Sequence, residues 1–255
     1  MLSALFHLVY FTFFLITSSC FFLVACLIKL VTFPFDKRLV ILHRFACVWA
    51  SFYIWTMPIW SVEVIGREKI RHDTTYMVVS NHQSMMDILL GYRLFFHFKW
   101  VAKAELFMVP FIGWNMLLNR YVFVKRGDRK SILEMMKASE AHLRKGSSVY
   151  IYPEGTRSET GEVGKFKSGA FSLAKRVGVP ILPIAITGSK DTLPKGKFRI
   201  LFKRQFMQVA VLDEVPAEVV AATDPRELAE QVRSDIVAFV EKREALEAGQ
   251  DKEST

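Results

Sequence analysis

The sequence predicts a single α/β domain with a mixed, mostly parallel sheet flanked by helices, preceded by an N-terminal two-helix membrane motif. Two patterns predict this class. A long N-terminal stretch carries no Asp, Glu, Lys or Arg, and from Ser61 onward short β-branched runs alternate with amphipathic stretches, as in α/β units. The length of 255 residues suits one domain with an appendage. A hydrophobic content of 51% against 23% charged residues excludes intrinsic disorder.

The N-terminal stretch is expected to be a retained membrane anchor. From Leu2 to Ile28 it would span roughly 40 Å as a helix, more than the ~30 Å hydrocarbon core of a bilayer. No basic residue precedes it, as a secretory signal would require. The first basic cluster follows it, at Lys29, Lys37, Arg38 and Arg44. By the positive-inside rule, the sequence predicts attachment to the cell (inner) membrane, with the following domain on the cytoplasmic face.

A second apolar segment runs from Phe45 to Trp60 and is rich in Trp and Tyr, which concentrate at membrane interfaces. It is short for a membrane span, so we interpret it as an interfacial or half-buried helix that returns to the same side. The alternative is a core helix of the globular domain. The predicted division is therefore membrane-anchoring helices at 1–60, a globular domain at 61–248 and a polar tail at 249–255.

The globular part is predicted to alternate strands and helices. Strands are expected at Tyr76–Ser80, Phe98–Ala102, Tyr121–Lys125, Ser148–Tyr152, Ile181–Ile186, Phe198–Phe202 and Met207–Leu212. Helices are expected at Ser84–Leu94, Ser131–Lys145 and Phe166–Val177, the last two ended by Gly146 and Gly178. A final helix begins with Asp224 as N-cap and Pro225 in its first turn, and one face carries Leu228, Val232, Ile236 and Val240.

Charge and cysteine content restrict the partners. The chain has 34 Lys and Arg against 25 Asp and Glu, a net charge of +9 that suits nucleic acid, an acidic lipid surface or phosphorylated substrates. No nucleic-acid-binding signature accompanies this charge, so the sequence predicts no nucleic-acid partner. The three cysteines, Cys20, Cys26 and Cys47, lack the paired spacing of a zinc site or a disulfide framework. We therefore expect no bound metal.

His82 and Asp87 follow the strand that ends at Ser80. On a regular helix they would point about 140° apart and could not meet. They can meet if His82 lies on the turn before the helix and Asp87 lies in its first turn. A carboxylate there would fix the tautomer of a histidine that acts as a general base. The alternative is that Ser84 caps the helix, with Asp87 completing a capping box and His82 merely polar.

A second candidate site follows another apolar strand, in the turn Ile151-Tyr152-Pro153-Glu154-Gly155-Thr156-Arg157-Ser158. Pro153 ends the strand, Gly155 lets the backbone approach a ligand, and Arg157 offers a guanidinium fork that suits phosphate. The pattern is typical of an anion-binding turn at the carboxyl end of a strand. An ordinary surface turn is the alternative.

With these blocks in view, the sequence resembles the bacterial 1-acyl-sn-glycerol-3-phosphate acyltransferases of the glycerolipid acyltransferase family. The resemblance covers roughly 76–188 and comprises four motifs in the family's order. They are the His-x4-Asp of His82 and Asp87, the block from Phe111 to Arg126, the turn Tyr152 to Ser158, and Val179-Pro180-Ile181-Leu182-Pro183-Ile184. One position departs from the pattern: the family's usual glycine at the start of the second block's Gly-x-x-Phe motif is Arg120, where the backbone is less free to approach a ligand.

The resemblance implies transfer of a fatty acyl group from a thioester to the sn-2 hydroxyl of lysophosphatidic acid, giving phosphatidic acid. It makes 61–248 the acyltransferase domain, His82 the general base and Asp87 its partner. It requires no cofactor beyond the co-substrate, acyl-CoA or acyl carrier protein. Membrane lipids are the further partner. The substrate-binding residues it implies are Lys103, Arg126, Glu154, Gly155, Thr156 and Arg157.

Within this group, Arg157, Lys103 and Arg126 are expected to bind the acceptor phosphate, and Glu154 to contact the glycerol hydroxyls or to position Arg157. An apolar groove for the acyl chain should lie beside His82. Two alternatives remain open. In the first, the acceptor is another lysolipid or glycerol 3-phosphate. In the second, the protein is a non-catalytic lipid-binding membrane protein that needs neither His82 nor Asp87.

Overall fold

The computed structural model describes residues 2–193 and 204–253, with side chains described from 8 to 193 and from 204 to 246. The α-helices are α1 (Leu2–Thr32), α2 (Val40–Trp55), α3 (Met86–Tyr92), α4 (Ile112–Leu118), α5 (Arg129–Arg144), α6 (Gly169–Val177), α7 (Ala217–Ala222) and α8 (Pro225–Glu253). The strands are β1 (Trp60–Ile65), β2 (Met77–Ser80), β3 (Phe98–Lys103), β4 (Val122–Val124), β5 (Ser148–Ile151), β6 (Ile181–Thr187) and β7 (Gln205–Val211). Short 3₁₀ helices lie at Arg67–Lys69 and Ala104–Met108.

The seven strands of the described residues form one mixed, mostly parallel sheet in the order β1-β7-β6-β2-β5-β3-β4. Every neighbouring pair is parallel except β6 and β7. The predicted α/β class is therefore confirmed. Because β2 lies in the middle, between β6 and β5, the carboxyl ends of three adjacent parallel strands meet at one edge of the sheet.

The sheet separates two hydrophobic cores. Along β2 the side chains alternate between them: Val78 packs with α2 and α3 on one face, and Met77 and Val79 pack with α5, α6 and α8 on the other. This alternation follows from the two-residue period of a strand. The predicted face of the last helix is confirmed, since Leu228, Val232, Ile236 and Val240 are all buried in the second core.

The predicted strands agree with the structure apart from their ends, with two exceptions. The predicted strand Phe198–Phe202 lies outside the described residues. The sequence pattern does not predict the first strand, β1, because Trp60 ends the apolar segment expected at Phe45–Trp60. Its sequence Trp-Ser-Val-Glu-Val-Ile alternates apolar and polar residues over its first five positions, the signal that could have identified it.

The N-terminal helices pack against each other and against the domain. Ser18 Oγ of α1 lies 2.7 Å from the Tyr53 hydroxyl of α2, and Phe22 packs edge-on against Trp114 of α4, with ring centroids 5.5 Å apart. In the described part of the chain, α1 is the helix long and apolar enough to cross a membrane. Much of its apolar surface is exposed, including Leu23 and Leu30.

The apolar segment expected at Phe45–Trp60 is a helix over Val40–Trp55, and Trp60 opens β1. One face of α2, which includes Ala46, Cys47 and Ala50, is buried in the first core, and the other face leaves Val48 exposed. The alternative of a core helix thus describes one side of α2. At the C-terminus, α8 continues to Glu253, through much of the segment expected as a polar tail.

Candidate active site

The two candidate motifs meet at the carboxyl edge of the sheet. His82 follows β2, and Glu154 and Arg157 follow β5, which is paired with β2 in parallel. Ligand sites of open α/β sheets are commonly found outside the carboxyl ends of their strands. The loops also touch directly, since the Ser158 N–H donates to the His82 carbonyl at 2.8 Å.

His82 and Asp87 form a buried hydrogen-bonded pair. His82 lies before α3, Asp87 lies in its first turn, and His82 Nδ1 is 2.8 Å from Asp87 Oδ2. The geometry that allows the pair to meet is therefore the one present. The same Oδ2 also accepts from the backbone N–H groups of Gln83 at 2.6 Å and Ser84 at 2.8 Å. Because Nδ1 is engaged with the carboxylate, Nε2 is the ring nitrogen left for chemistry.

The capping alternative holds in part. Ser84 Oγ accepts from the Met86 N–H at 3.2 Å, which is a local turn contact at the start of α3. Ser84 Oγ also donates to the Leu193 carbonyl at 2.9 Å, tying the helix start to the loop after β6. The Asp87 carboxylate makes both contacts, because its Oδ2 accepts from the Ser84 N–H, as in a capping box, and is also hydrogen-bonded to His82.

Ser189, which the sequence analysis did not single out, completes the surroundings of Asp87. Its hydroxyl donates to Asp87 Oδ1 at 2.5 Å, and both residues are fully buried. Ser189 lies just beyond the carboxyl end of β6, which pairs with β2. A polar residue two positions after a buried strand was the available signal, but only the sheet order places β6 beside β2.

Glu154 lies against the same loop and is 8% exposed. Its Oε1 accepts from the His82 N–H at 2.7 Å and its Oε2 from the Gly164 N–H at 3.0 Å. Burial raises the pKa of Glu154 to about 7, against the lowering effect of these two N–H groups. The carboxylate thus joins the His82 turn to Gly164, and among the described contacts it has no bond to Arg157, the residue it was expected to position.

Tyr152 forms one wall beside His82. The two rings are stacked, with centroids 3.9 Å apart and planes 12° from parallel. The Tyr152 hydroxyl is buried without a hydrogen-bond partner among the described atoms. The stacking holds the imidazole from its face, while Asp87 holds it from its edge.

A cavity of about 800 Å³ opens at His82. Its lining is mostly apolar and comes from α1, α2, α3 and β3, with Phe11, Phe14, Trp49, Tyr53, Ile88 and Trp100 among the contributors. An apolar groove beside His82 was expected from the resemblance, and the structure contains one. The N-terminal helices α1 and α2 form part of its wall, so they belong to the candidate site.

Three of the predicted phosphate ligands line this cavity together with His82: Lys103, Arg126 and Arg157. Lys103 is 3.1 Å from Glu105 and about two-fifths exposed. Burial lowers the pKa of Arg157, and the positive charge of Arg126 lowers it further. Two guanidinium groups that repel each other at the wall of a cavity form a site that an anion would stabilise.

Gly155 and Thr156 do not line the main cavity. Gly155 forms the turn after Tyr152, and its φ is 73°. Thr156 is exposed and lines a smaller polar pocket of about 350 Å³, which it shares with Glu154, Arg157 and Lys165. Arg157 therefore lies between the two pockets.

Comparison with known proteins agrees with this geometry. The sequence profile of the acyltransferase family matches residues 61–187, from β1 to the end of β6. The chain belongs to the acyltransferase family. All the site residues named above except Ser189 and Leu193 lie inside the matched region or in the N-terminal helices.

Several similar proteins are named 1-acyl-sn-glycerol-3-phosphate acyltransferases. A chloroplastic one from Brassica napus is 38% identical over 169 residues, which are 66% of this chain and 48% of the relative. The human alpha form is 36% identical over 181 residues, 69% of this chain and 62% of the relative. A crystal structure of the acyltransferase from Thermotoga maritima superposes with a TM-score of 0.70 at 25% identity, covering 90% of this chain and 96% of that one.

The chain spans about half the length of the plant relatives it matches, 48% of the Brassica napus protein. The match to the Thermotoga maritima structure extends beyond the 61–187 region, since it covers 90% of the chain. This family member therefore shares most of its fold with a bacterial acyltransferase.

The departure at Arg120 lies in a helix cap and not in the cavity wall. The Arg120 N–H donates to the Leu117 carbonyl at 3.0 Å and the Tyr121 N–H to the Met116 carbonyl at 3.1 Å. These two bonds define a Schellman turn after α4. Arg120 is the second residue beyond the helix, and its φ is positive, at 54°. The glycine typical of this family thus corresponds to a left-handed cap, and Arg120 is exposed there.

Proposed function

We propose that this chain transfers a fatty acyl group from acyl-CoA or acyl carrier protein to the sn-2 hydroxyl of 1-acyl-sn-glycerol 3-phosphate, forming phosphatidic acid in phospholipid biosynthesis. The observation that carries the proposal is one cavity with three parts. Its lining includes His82, which is hydrogen-bonded to the buried Asp87, three cationic side chains and a long apolar region. An acceptor with a hydroxyl, a phosphate and an acyl chain matches all three.

His82 and Asp87 are the proposed catalytic residues. His82 Nε2 accepts the proton of the sn-2 hydroxyl while that oxygen attacks the thioester carbonyl and forms the new C–O bond. When the C–S bond breaks, the proton returns from the imidazolium to the leaving thiolate. Asp87 holds Nδ1 at 2.8 Å, so it fixes the tautomer and stabilises the transient imidazolium. The acceptor is itself the nucleophile, so no acyl-enzyme forms.

Lys103, Arg126 and Arg157 are the proposed ligands of the acceptor phosphate. All three line the cavity that His82 lines, and a guanidinium can bind two phosphate oxygens at once. Lys103 would exchange its exposed pairing with Glu105 for the phosphate, which costs little because exposed ion pairs contribute at most about 1 kcal/mol. Glu154 and Gly155 shape the turn that presents Arg157, and Thr156 borders the polar pocket on its other side.

The proposed location is the cell (inner) membrane, with the catalytic domain on the cytoplasmic face. The apolar helix α1 carries its first basic residue, Lys29, in its last turn, and by the positive-inside rule this favours a cytoplasmic location for that end. We keep the division into anchoring helices (1–60), acyltransferase domain (61–248) and polar tail (249–255) as part of the proposal. Membrane lipids would then supply the acceptor directly to the cavity, since α1 and α2 form its walls.

Acyl transfer by purified protein tests the proposal. The assay uses a radiolabelled acyl-CoA and an acylated carrier protein as donors. The acceptors are lysophosphatidic acid, other lysolipids and glycerol 3-phosphate. His82→Ala and Asp87→Asn should each lower kcat at least about 100-fold, because general-base catalysis contributes about 10²–10⁴-fold. His72→Ala, an exposed histidine outside the site, is the matched control and should keep full activity.

The acceptor panel separates the alternatives. Product on lysophosphatidic acid, lost in His82→Ala, supports the proposal, whereas product on another acceptor alone keeps the chemistry and replaces the substrate. No product with any acceptor would favour the lipid-binding alternative.

Arg157→Ala should raise KM for lysophosphatidic acid and leave KM for the donor unchanged. Arg226→Ala, at an exposed arginine on α8, is the control.

A further inference from the structure

The two oxygens of the Asp87 carboxylate have very different surroundings. Oδ2 accepts three hydrogen bonds, from His82 Nδ1 and from the N–H groups of Gln83 and Ser84. For Oδ1 the described atoms supply a single donor, the Ser189 hydroxyl at 2.5 Å. Asp87 and Ser189 are both 0% exposed, so water cannot readily take the place of this donor.

The backbone after β6 is built to bring Ser189 to this position. Gly188 has a φ of 72°, and a Cβ at Gly188 would lie 2.0 Å from the Phe206 carbonyl oxygen of β7. A glycine is therefore required, and the turn that it forms brings the Ser189 hydroxyl to Asp87 of α3. The Thr192 N–H donates to the Ser189 carbonyl at 3.0 Å and closes the turn.

We propose that Ser189 is a positioning residue for the reaction, which acts through Asp87 on His82. Its O–H fixes the rotation of the carboxylate, so that Oδ2 faces Nδ1, and it withdraws negative charge from the pair through Oδ1. The inference rests on the proposed function, because it assumes that His82 is the general base. Ser189 does not line the main cavity, so it does not contact the substrate there.

The hydrogen bonds to Asp87 support an electrostatic role for Ser189. The O–H dipole of Ser189 partly neutralises the negative charge on Asp87 Oδ1. Because a buried oxygen without a donor costs free energy, removal of this hydroxyl would leave the Asp87 charge less compensated. That charge would attract the imidazolium of the reaction more strongly, so the acid limb of the pH–rate profile should move to higher pH. The Ser189 hydroxyl also lies 3.4 Å from Gln83 Oε1, a weaker contact than the one to Asp87.

The test compares Ser189→Ala and Ser189→Thr with the unmodified chain, by kcat, KM and the pH profile of kcat/KM with lysophosphatidic acid as acceptor. Ser189→Ala should lower kcat about tenfold, which is a part of the general-base contribution. The KM for lysophosphatidic acid and the KM for the acyl donor should each stay within about twofold of the values of the unmodified chain. The midpoint of the acid limb should move to higher pH. Ser189→Thr keeps the hydroxyl and should restore both the rate and the midpoint.

A matched control separates positioning from simple stabilisation of the fold. Ser148 is also a buried serine, and its Oγ accepts from the Tyr76 N–H at 3.0 Å at the opposite end of the sheet. Ser148→Ala should reduce stability without moving the acid limb. If Ser189→Ala behaves in the same way, with an unchanged midpoint and a full rate per folded molecule, the inference is wrong. If the unmodified chain itself transfers no acyl group, the proposed function fails and not this inference alone.

Discussion

At the scale of single residues, Glu154 shows how a motif residue can have a structural partner that its motif does not reveal. The resemblance assigns it to the substrate or to Arg157, yet both of its oxygens accept backbone N–H groups, from His82 and Gly164. These bonds fix the turn that carries the proposed base. Burial nevertheless opposes the charged form, and the pKa of Glu154 is raised to about 7.

This raised pKa predicts a pH dependence of stability. Between about pH 4.5 and 7 the folded chain holds a proton on Glu154 that the unfolded chain has lost, so the free energy of unfolding falls as pH rises. Glu154→Gln removes this titration. The free energy of unfolding of the unmodified chain, minus that of Glu154→Gln, should therefore fall from about pH 5 to about pH 8. The fall should be at most about 3 kcal/mol, because one pKa unit corresponds to about 1.4 kcal/mol.

Equilibrium unfolding by denaturant in detergent micelles, repeated across this pH range, measures the difference. An increase with pH would contradict the prediction. It would mean that the two N–H groups stabilise the carboxylate by more than burial destabilises it.

At the scale of the elements, two helix ends solve the same geometric problem with different residues. After α6, Gly178 has a φ of 78°, and after α4, Arg120 has a φ of 54°. A side chain in this left-handed region costs roughly 1–2 kcal/mol, which glycine avoids. The cap after α4 is therefore strained in this chain, where the family pattern would relieve it.

The pair gives a prediction with an internal control. Arg120→Gly should raise the free energy of unfolding by about 1 kcal/mol, and Gly178→Ala should lower it by a similar amount. A Cβ at Gly178 meets nothing within 4 Å, so the loss would come from backbone conformation alone. Thermal unfolding in detergent provides the measurement.

Arg120→Gly should also leave the acceptor preference unchanged, because Arg120 does not line the cavity. A change in acceptor preference would show that the family's glycine acts on the substrate.

At the scale of the whole molecule, the binding cavity belongs to no single part of the chain. Its cationic end comes from β3 and the loops after β4 and β5, and its apolar end is closed by α1 and α2. The N-terminal helices, which we propose as the membrane anchor, would thus also receive the acyl chain. Ala50 of α2 is 6% exposed and lines this apolar region, where its small side chain leaves room.

Filling that room should shorten the acyl chain that fits. Ala50→Leu should lower kcat/KM for palmitoyl-CoA relative to octanoyl-CoA by on the order of tenfold, which corresponds to the loss of about two buried CH₂ groups at ~0.8 kcal/mol each. Val48→Leu, on the exposed side of the same helix, is the control. Equal losses for both donors would indicate that the acyl chain does not reach Ala50.

The sequence alone predicted the fold class, the apolar N-terminal helix and six of the seven strands in the described part of the chain, and its resemblance to a known family implied the pairing of His82 with Asp87. These follow from local periodicity, from turn residues and from motif spacing, which act over short stretches of chain. It did not reveal β1, the cavity wall formed by α1 and α2, or the contacts of Glu154 and Ser189. Those depend on which strands become neighbours in the sheet. Ser189 is 102 residues from Asp87 along the chain, and only the placement of β6 beside β2 brings its hydroxyl to the carboxylate.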